Sequence, residues 1–331
     1  MLNVTLYTRT GCHLCEQAEA DLAALQEKIQ HKLILIDIDS DKALANSLAL
    51  EIPVVEAGPF RLKAPFNRQA LEVTLGAARD RLAQLERIDD KSFRASLARG
   101  KHISRADRLS YWISRHYLLV LNLFLLLYFG LPFLAPMLKS AGLNGPAEVI
   151  YTIYKPLCHQ WAFRSWFMFG EQAYYPHSAA EIEGVASFEE MTGITDENDP
   201  NRVWARSFEG NELLGYKVAL CQRDEAIWGS LFLFGVIYAI TGRRIRKLPW
   251  YLWILLGLVP VGLDGFSQVF SQLPGDFIQS ILPYRESTPI LRTITGFLFG
   301  WTTAWFTIPL MEETMDESRR ALAKKFAIVK S

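Results

Sequence analysis

Cys12-His13-Leu14-Cys15 places two thiols one helical turn apart, directly after the strand-like Val4-Thr5-Leu6-Tyr7-Thr8 and at the start of a helical run from about His13 to Ile29. A cysteine at a helix N-terminus sees the positive end of the dipole and free backbone N–H groups. Both stabilise its thiolate and make it the nucleophile. The second thiol, one turn on, is placed to resolve a mixed disulfide. Thiol–disulfide exchange is therefore the chemistry this segment suits. Half of a zinc site is the alternative, but that needs two more ligands at similar spacing. The chain has no second C-x-x-C.

The elements that would position this pair follow in order. Lys32–Asp39 is an apolar, β-branched run that reads as a buried strand, and Asp41–Leu50 reads as a short helix. Ile52–Pro59 reads as a strand opened by Pro53, Arg61–Ala64 as a fourth strand, and Asn67–Glu86 as a helix. Tyr7-Thr8-Arg9-Thr10-Gly11-Cys12-His13-Leu14-Cys15, the strand end Asp37-Ile38-Asp39 and Ile52-Pro53-Val54 together resemble a glutaredoxin-like member of the thioredoxin superfamily over residues 1–86. The resemblance implies a thioredoxin-like α/β fold, with Cys12 as nucleophile, Cys15 as resolving thiol and Pro53 as a cis-proline beside them. Glutathione is the cofactor it suggests, and a cytoplasmic disulfide is the implied substrate.

The rest of the chain is a different kind of polymer. Over 331 residues the formal net charge is zero, and nothing in the composition suggests a nucleic-acid partner. Half of the residues are apolar, and the long apolar runs begin only after Arg115. Tyr117–Met137, Ala226–Gly242, Trp250–Phe270 and Pro289–Met311 are candidate spans, the third interrupted by Asp264 and the fourth carrying Arg292. A chain that opens with the thiol fold is expected to carry no cleavable signal peptide.

Arg99, Lys101, Arg105, Arg108 and Arg115 precede the first span; Arg243, Arg244, Arg246 and Lys247 join the second to the third; Arg319, Arg320, Lys324 and Lys325 follow the fourth. In a four-span arrangement all three basic groups fall on one side, which makes that side cytoplasmic. The expectation is a multi-pass inner-membrane protein in a lipid bilayer with both termini cytoplasmic. Its parts are residues 1–86, a basic helical linker over 87–116, a membrane domain over 117–311 with an exoplasmic insertion at 171–215, and a tail over 312–331.

A second set of reactive residues converges on the exoplasmic end. Tyr154–Gly170, which holds Cys158, His159, Gln160 and Arg164, reads as an aromatic interfacial or re-entrant helix. In that reading Cys158 and Ala162 share one face, and Gln160 and Arg164 another. Cys221, Arg223 and Asp224 stand just before the second span, Asp264 and Gln268 in the outer part of the third, and Glu286 and Arg292 around the start of the fourth. Ionisable groups inside a membrane are costly and usually face a partner or water. These motifs resemble an uncharacterised family of bacterial membrane proteins over residues 117–311, from which this chain departs by its polar insertion. That grouping implies an all-α domain of four transmembrane helices.

Several readings of this second site stand side by side. Cys158 and Cys221, on the oxidising side, can form a disulfide or a redox pair served by a quinone. With His159 and Asp224 or Asp264 they can hold zinc or another soft metal. Arg223 and Arg292 can attract an anion, and Asp264 or His159 can act as acid–base on a lipid-soluble substrate. Asp264 and Arg292 can equally form a structural ion pair. His177 reads as solvated, and the insertion as a surface excursion. The leading expectation is a redox-linked membrane protein, a possible thiol–disulfide oxidoreductase with an outward-facing Cys/His/Arg/Asp site.

Overall fold

The computed structural model describes residues 2–40, 44–45, 48–87, 102–273 and 280–330. Part of the short helix read at Asp41–Leu50, residues 88–101 of the linker with Arg99, and Lys101 lie outside the described residues. The chain divides into two compact units, Met1–Tyr117 with Glu312–Ser331, and Leu118–Met311.

In the first unit, β1 (Leu2–Thr8) runs parallel to β2 (His31–Asp37) and antiparallel to β3 (Val54–Ala57), and β3 pairs with β4 (Phe60–Lys63). The sheet order is β2-β1-β3-β4. Strand alternation divides the side chains between two faces. Leu2, Val4, Leu6, Val55 and Ala57 meet Ala18, Leu22 and Leu25 of α1 (His13–Leu25) and Leu71, Leu75 and Ala78 of α2 (Arg68–Arg87). Full burial of such leucines contributes about 1.5–3 kcal/mol each. The other face, with Tyr7, Ile34, Ile36 and Val54, packs with Ile38, Leu44 and Leu48, and Ala323 lies against it.

That last contact reveals what the supposed tail does. Residues 312–330 continue the long helix α9 (Pro289–Lys330) rather than trailing away. Lys324 reaches Glu56 of β3 at 3.3 Å, and Lys325 reaches Asp107 at 2.7 Å. Arg319, fully buried, donates to the Ser114 carbonyl at 2.5 Å and pairs with Glu312, whose carboxylate also accepts from the Tyr117 hydroxyl at 2.7 Å.

The second unit is built on long helices. Among the described residues, three helices are long and apolar enough to cross a membrane: α3 (Arg105–Ser140), α8 (Trp250–Ser271) and α9. The second expected span, Ala226–Gly242, corresponds to α7 (Gln222–Ile240), whose first turn holds Arg223, Asp224 and Glu225, leaving residues 226–240 as its uncharged stretch. In α8 a π-helical stretch, Ile254–Leu258, precedes Pro260. Proline has no N–H to continue the α-helical ladder, and a widened turn absorbs the break.

Gly296 and Gly300 let α9 approach α7. A Cβ on Gly300 would lie 2.2 Å from both the Ile227 carbonyl oxygen and the Ser230 hydroxyl, and one on Gly296 would lie 2.6 Å from the Arg223 carbonyl oxygen. Small residues one turn apart are the usual means of close helix approach in lipid. Gly300→Leu is expected to cost about 1–3 kcal/mol or more through overpacking against rigid backbone. Gly130→Ala, where nothing lies within 4 Å, should be neutral or mildly stabilising. Thermal midpoints of the two variants in one detergent compare them directly.

The membrane unit is not all-α, which corrects the expectation. Tyr154 ends α4 (Asn144–Tyr154), and the aromatic segment after it is not a helix. It forms a single 3-10 turn over Ala162–Arg164 and then β5 (Ser165–Met168). β5 pairs antiparallel with β7 (Gly215–Cys221), which also pairs with β6 (Gly210–Asn211). Burial alternates along β5, with Ser165 and Phe167 buried and Trp166 and Met168 half-buried, as in a strand packed on one face. The insertion is more than a surface excursion. Tyr175, Phe188 of α5 (Phe188–Thr192), Ala205 of α6 (Val203–Ser207) and Leu214 form a core with Ala162, Phe163 and Phe167. His177, read as solvated, is only 5% exposed, with its Nε2 3.1 Å from Asp196 and 3.2 Å from Glu189.

Candidate functional site

In the N-terminal unit Cys12 and Cys15 are joined by a disulfide. Cys12 is the N-cap of α1, and its sulfur accepts from the Cys15 backbone N–H at 3.3 Å. Cys12 is partly exposed and Cys15 only 1% exposed, so a partner can reach the first sulfur but not the second. The Ile52–Pro53 bond is cis. Register places Pro53 at the same end of the sheet as the cysteine turn, because Tyr7 lies opposite Val54. Arg9, in the turn between β1 and the cysteines, grips Asp39 through two bonds of 2.8 Å.

In the membrane unit the site residues gather into three neighbouring groups. The first contains the other two cysteines, both buried and both free. Sulfurs of Cys158 and Cys221 and a carboxylate oxygen of Asp224 all lie within 4.8 Å of one another. Cys158 sits in the turn after α4, Cys221 ends β7 and caps α7, and Asp224 belongs to the first turn of α7. The His159 Nδ1 is 3.8 Å from the Cys158 sulfur, and its ring stacks on Trp161. Hydrogen bonding from Cys221, helped by His159, outweighs burial and holds the Cys158 thiol well below its usual range. The same contact and burial push Cys221 up. The pair thus favours one thiolate and one thiol.

Two interior side chains brace this group. Gln160, at a positive φ of 53°, donates to the carbonyls of Tyr151 at 3.0 Å and Ala219 at 2.9 Å. Lys217, fully buried, donates to the carbonyls of Gln160 at 2.8 Å and Arg206 at 2.6 Å. Burial pushes its ammonium down to about 7. Lys217 escaped the sequence reading, although one lysine within the apolar Val218-Ala219-Leu220 neighbourhood was a visible signal.

The second and third groups are ionic. Asp264 does not pair with Arg292, which removes the structural ion pair that was one of the alternatives; it binds Arg223 at 2.5 Å, Arg285 at 3.0 Å and the Ser287 hydroxyl at 2.8 Å. Arg292 pairs instead with Glu286, which also receives two bonds from Arg164, at 2.5 and 2.9 Å, and one from Gln272 at 2.9 Å. Gln268 lies buried on the same face of α8 as Asp264. Burial pushes the Glu286 carboxyl up, but the Arg164 bonds and the charges of Arg164 and Arg292 win and hold it at about 2. Arg285 and Ser287 were missed as partners, though they flank Glu286 in sequence. Arg164 and Arg202 both lie over the Trp161 ring, at 4.4 and 4.8 Å from its centre.

Comparison with known proteins agrees with this two-part construction. Residues 3–76 match the family described as Glutaredoxin-like domain (DUF836), and residues 204–306 match that described as Predicted membrane protein (DUF2085). The chain is a fusion of a glutaredoxin-like thiol domain with a domain of that membrane-protein type. It is also similar to the uncharacterized protein MJ1492 of Methanocaldococcus jannaschii, with 25% identity over 209 residues, which cover 61% of this chain and 96% of the relative. No solved structure matches it significantly.

Proposed function

We propose that this protein is a membrane-anchored thiol–disulfide exchange protein whose N-terminal domain works at the cytoplasmic face. The observation that carries the reading is the Cys12–Cys15 disulfide at the N-terminus of α1, with Cys12 reachable and Cys15 buried. In the reduced form, the Cys12 thiolate attacks one sulfur of a partner disulfide. The new Cys12–partner bond forms as the partner's own S–S bond breaks, and the leaving sulfur takes a proton. Cys15, as thiolate, then attacks the Cys12 sulfur, closing the internal disulfide and releasing the second partner thiol. Two electrons and two protons pass to the partner, and a thiol such as glutathione restores the dithiol by the reverse exchange. Incubation in glutathione buffers of graded ratio, quenched with acid and alkylated, is expected to shift Cys12–Cys15 between disulfide and dithiol. A pair that stays locked in one state across all ratios contradicts the proposal.

The membrane unit, in this reading, crosses the bilayer four times, with α7 as the remaining span. The pairing of Arg223, at the start of α7, with Asp264 supports this. The basic groups around Arg105–Arg115, Arg243–Lys247 and Arg319–Lys325 support a cytoplasmic location for both termini. The cluster of Cys158, His159, Cys221 and Asp224 then belongs to the exoplasmic side. Reporter fusions after Gly145 and after Arg246 should give opposite sides of the membrane. The same side for both would remove α7 as a span and return Cys158 to the reducing compartment.

A further inference from the structure

We propose that Cys158, Cys221 and Asp224, with Glu225 as the fourth ligand, form a binding site for a zinc-like divalent cation in the membrane unit, independent of the thiol chemistry of the N-terminal domain. The three ligand atoms already lie within 4.8 Å of one another. Around tetrahedral zinc, with bonds of about 2.0–2.3 Å, neighbouring ligand atoms sit roughly 3.3–3.8 Å apart, so a small contraction brings these three together. Glu225, outside that mutual distance but one turn after Cys221 on α7, must turn inward to supply the fourth ligand. Cys221 and Asp224 occupy the N-cap and third positions of one helix, a spacing that turns both side chains to the same side. Cys158 enters from a separate turn held by the Gln160 bonds to Tyr151 and Ala219.

Glu225 supplies the second, independent observation. It is 6% exposed, and both of its carboxylate oxygens are buried with no hydrogen-bond partner among the described residues. Buried polar atoms without a partner are rare in folded proteins, and an ion is one of the explanations they call for. Neither Asp224 nor Glu225 has an ion-pair partner among the described residues. Arg223 and Lys217, close by in sequence, are already engaged, Arg223 with Asp264 and Lys217 with the Gln160 and Arg206 carbonyls. A divalent cation neutralises this excess of negative ligands. The mixed sulfur and oxygen donors suit zinc better than a softer monovalent copper, which prefers sulfur alone. His159, 3.8 Å from the Cys158 sulfur, is placed to orient that ligand from outside the set.

The test uses the full chain in detergent with Cys12 and Cys15 both replaced by serine, which removes the other thiol pair. After reduction, chelation and desalting, the protein is equilibrated with zinc and freed of excess. One equivalent is expected per chain, and cobalt in its place should give thiolate-to-metal charge-transfer absorption. Cys158→Ser and Cys221→Ser should each abolish that absorption, and Glu225→Gln should weaken zinc binding at least tenfold without changing elution or helicity. Should the serine variants fail to fold, alkylation of Cys158 and Cys221 in the otherwise unaltered protein gives the answer, because bound zinc must slow both. Substoichiometric zinc, zinc retained after both cysteines are replaced, or alkylation rates indifferent to zinc would each overturn the site. None of these readouts depends on disulfide exchange by the N-terminal domain, so either proposal can fail alone.

Discussion

Replacing Cys12 by serine is expected to reduce disulfide exchange to the background rate, whereas Cys15→Ser should leave the first attack intact and accumulate a mixed disulfide with the partner. The asymmetry follows from position. Cys12 caps α1, where the dipole and the Cys15 N–H at 3.3 Å favour negative charge on sulfur, and it is the sulfur that solvent reaches. Cys15 is buried one turn on and can attack only a sulfur already bonded to Cys12. Insulin reduction monitors the first variant, and mass spectrometry of acid-trapped adducts monitors the second. In the reduced protein, alkylation at mildly acidic pH should label Cys12 well before Cys15. Equal labelling rates, or full activity in the Cys12 variant, would remove the nucleophile assigned here.

Glu286→Gln is expected to be among the most damaging single substitutions in the membrane unit. It leaves the guanidinium groups of Arg164 and Arg292, with side chains 13% and 3% exposed, without their shared carboxylate. Breaking a buried ion pair from one side costs about 3–5 kcal/mol. Replacing Arg292 by methionine in the same chain should recover part of the loss, since the stranded charge is then gone. Additive losses would show that the two residues do not interact.

The same clamp makes a pH prediction. The folded carboxyl, held at about 2, lies below its usual value of 4.5, so its contribution is complete above about pH 4.5. It is then lost progressively as pH falls toward 2, a change of order 3 kcal/mol at about 1.4 kcal/mol per pH unit. Thermal midpoints measured between pH 6 and pH 3 should fall less in Glu286→Gln, which has no carboxylate to protonate, than in the unaltered protein.

The dithiol could be read from the sequence because it is local. Cys12 and Cys15 belong to one helix end, β1 leads into it, and alternation in Leu2–Thr8 with the spacing of Ala18, Leu22 and Leu25 already specifies which faces meet. The long apolar helices were legible for a similar reason, since length and lack of charge are properties of a segment alone.

Partnerships across the membrane unit were not local, and there the sequence misled. Tyr154–Gly170 suggested a helix when read by itself, but pairing of Ser165 with Cys221 and Phe167 with Lys217 makes its end a strand. Nothing near residue 165 announces a partner strand that lies beyond a long insertion. Asp264 and Arg292 had the right charges and the right end of the bundle, yet Asp264 took Arg223 and Arg285 while Glu286 took Arg292 and Arg164. Charge type limits which residues can pair, but side-chain reach across the contact between helices selects among them. The sequence by itself determined the two kinds of domain, the reactive dithiol and the set of ionisable residues. Tertiary structure alone decided that Cys158 lies within 4.8 Å of Cys221 and Asp224, because the pairing of β7 with β5 and the bonds from Gln160 bring its distant backbone to the start of α7.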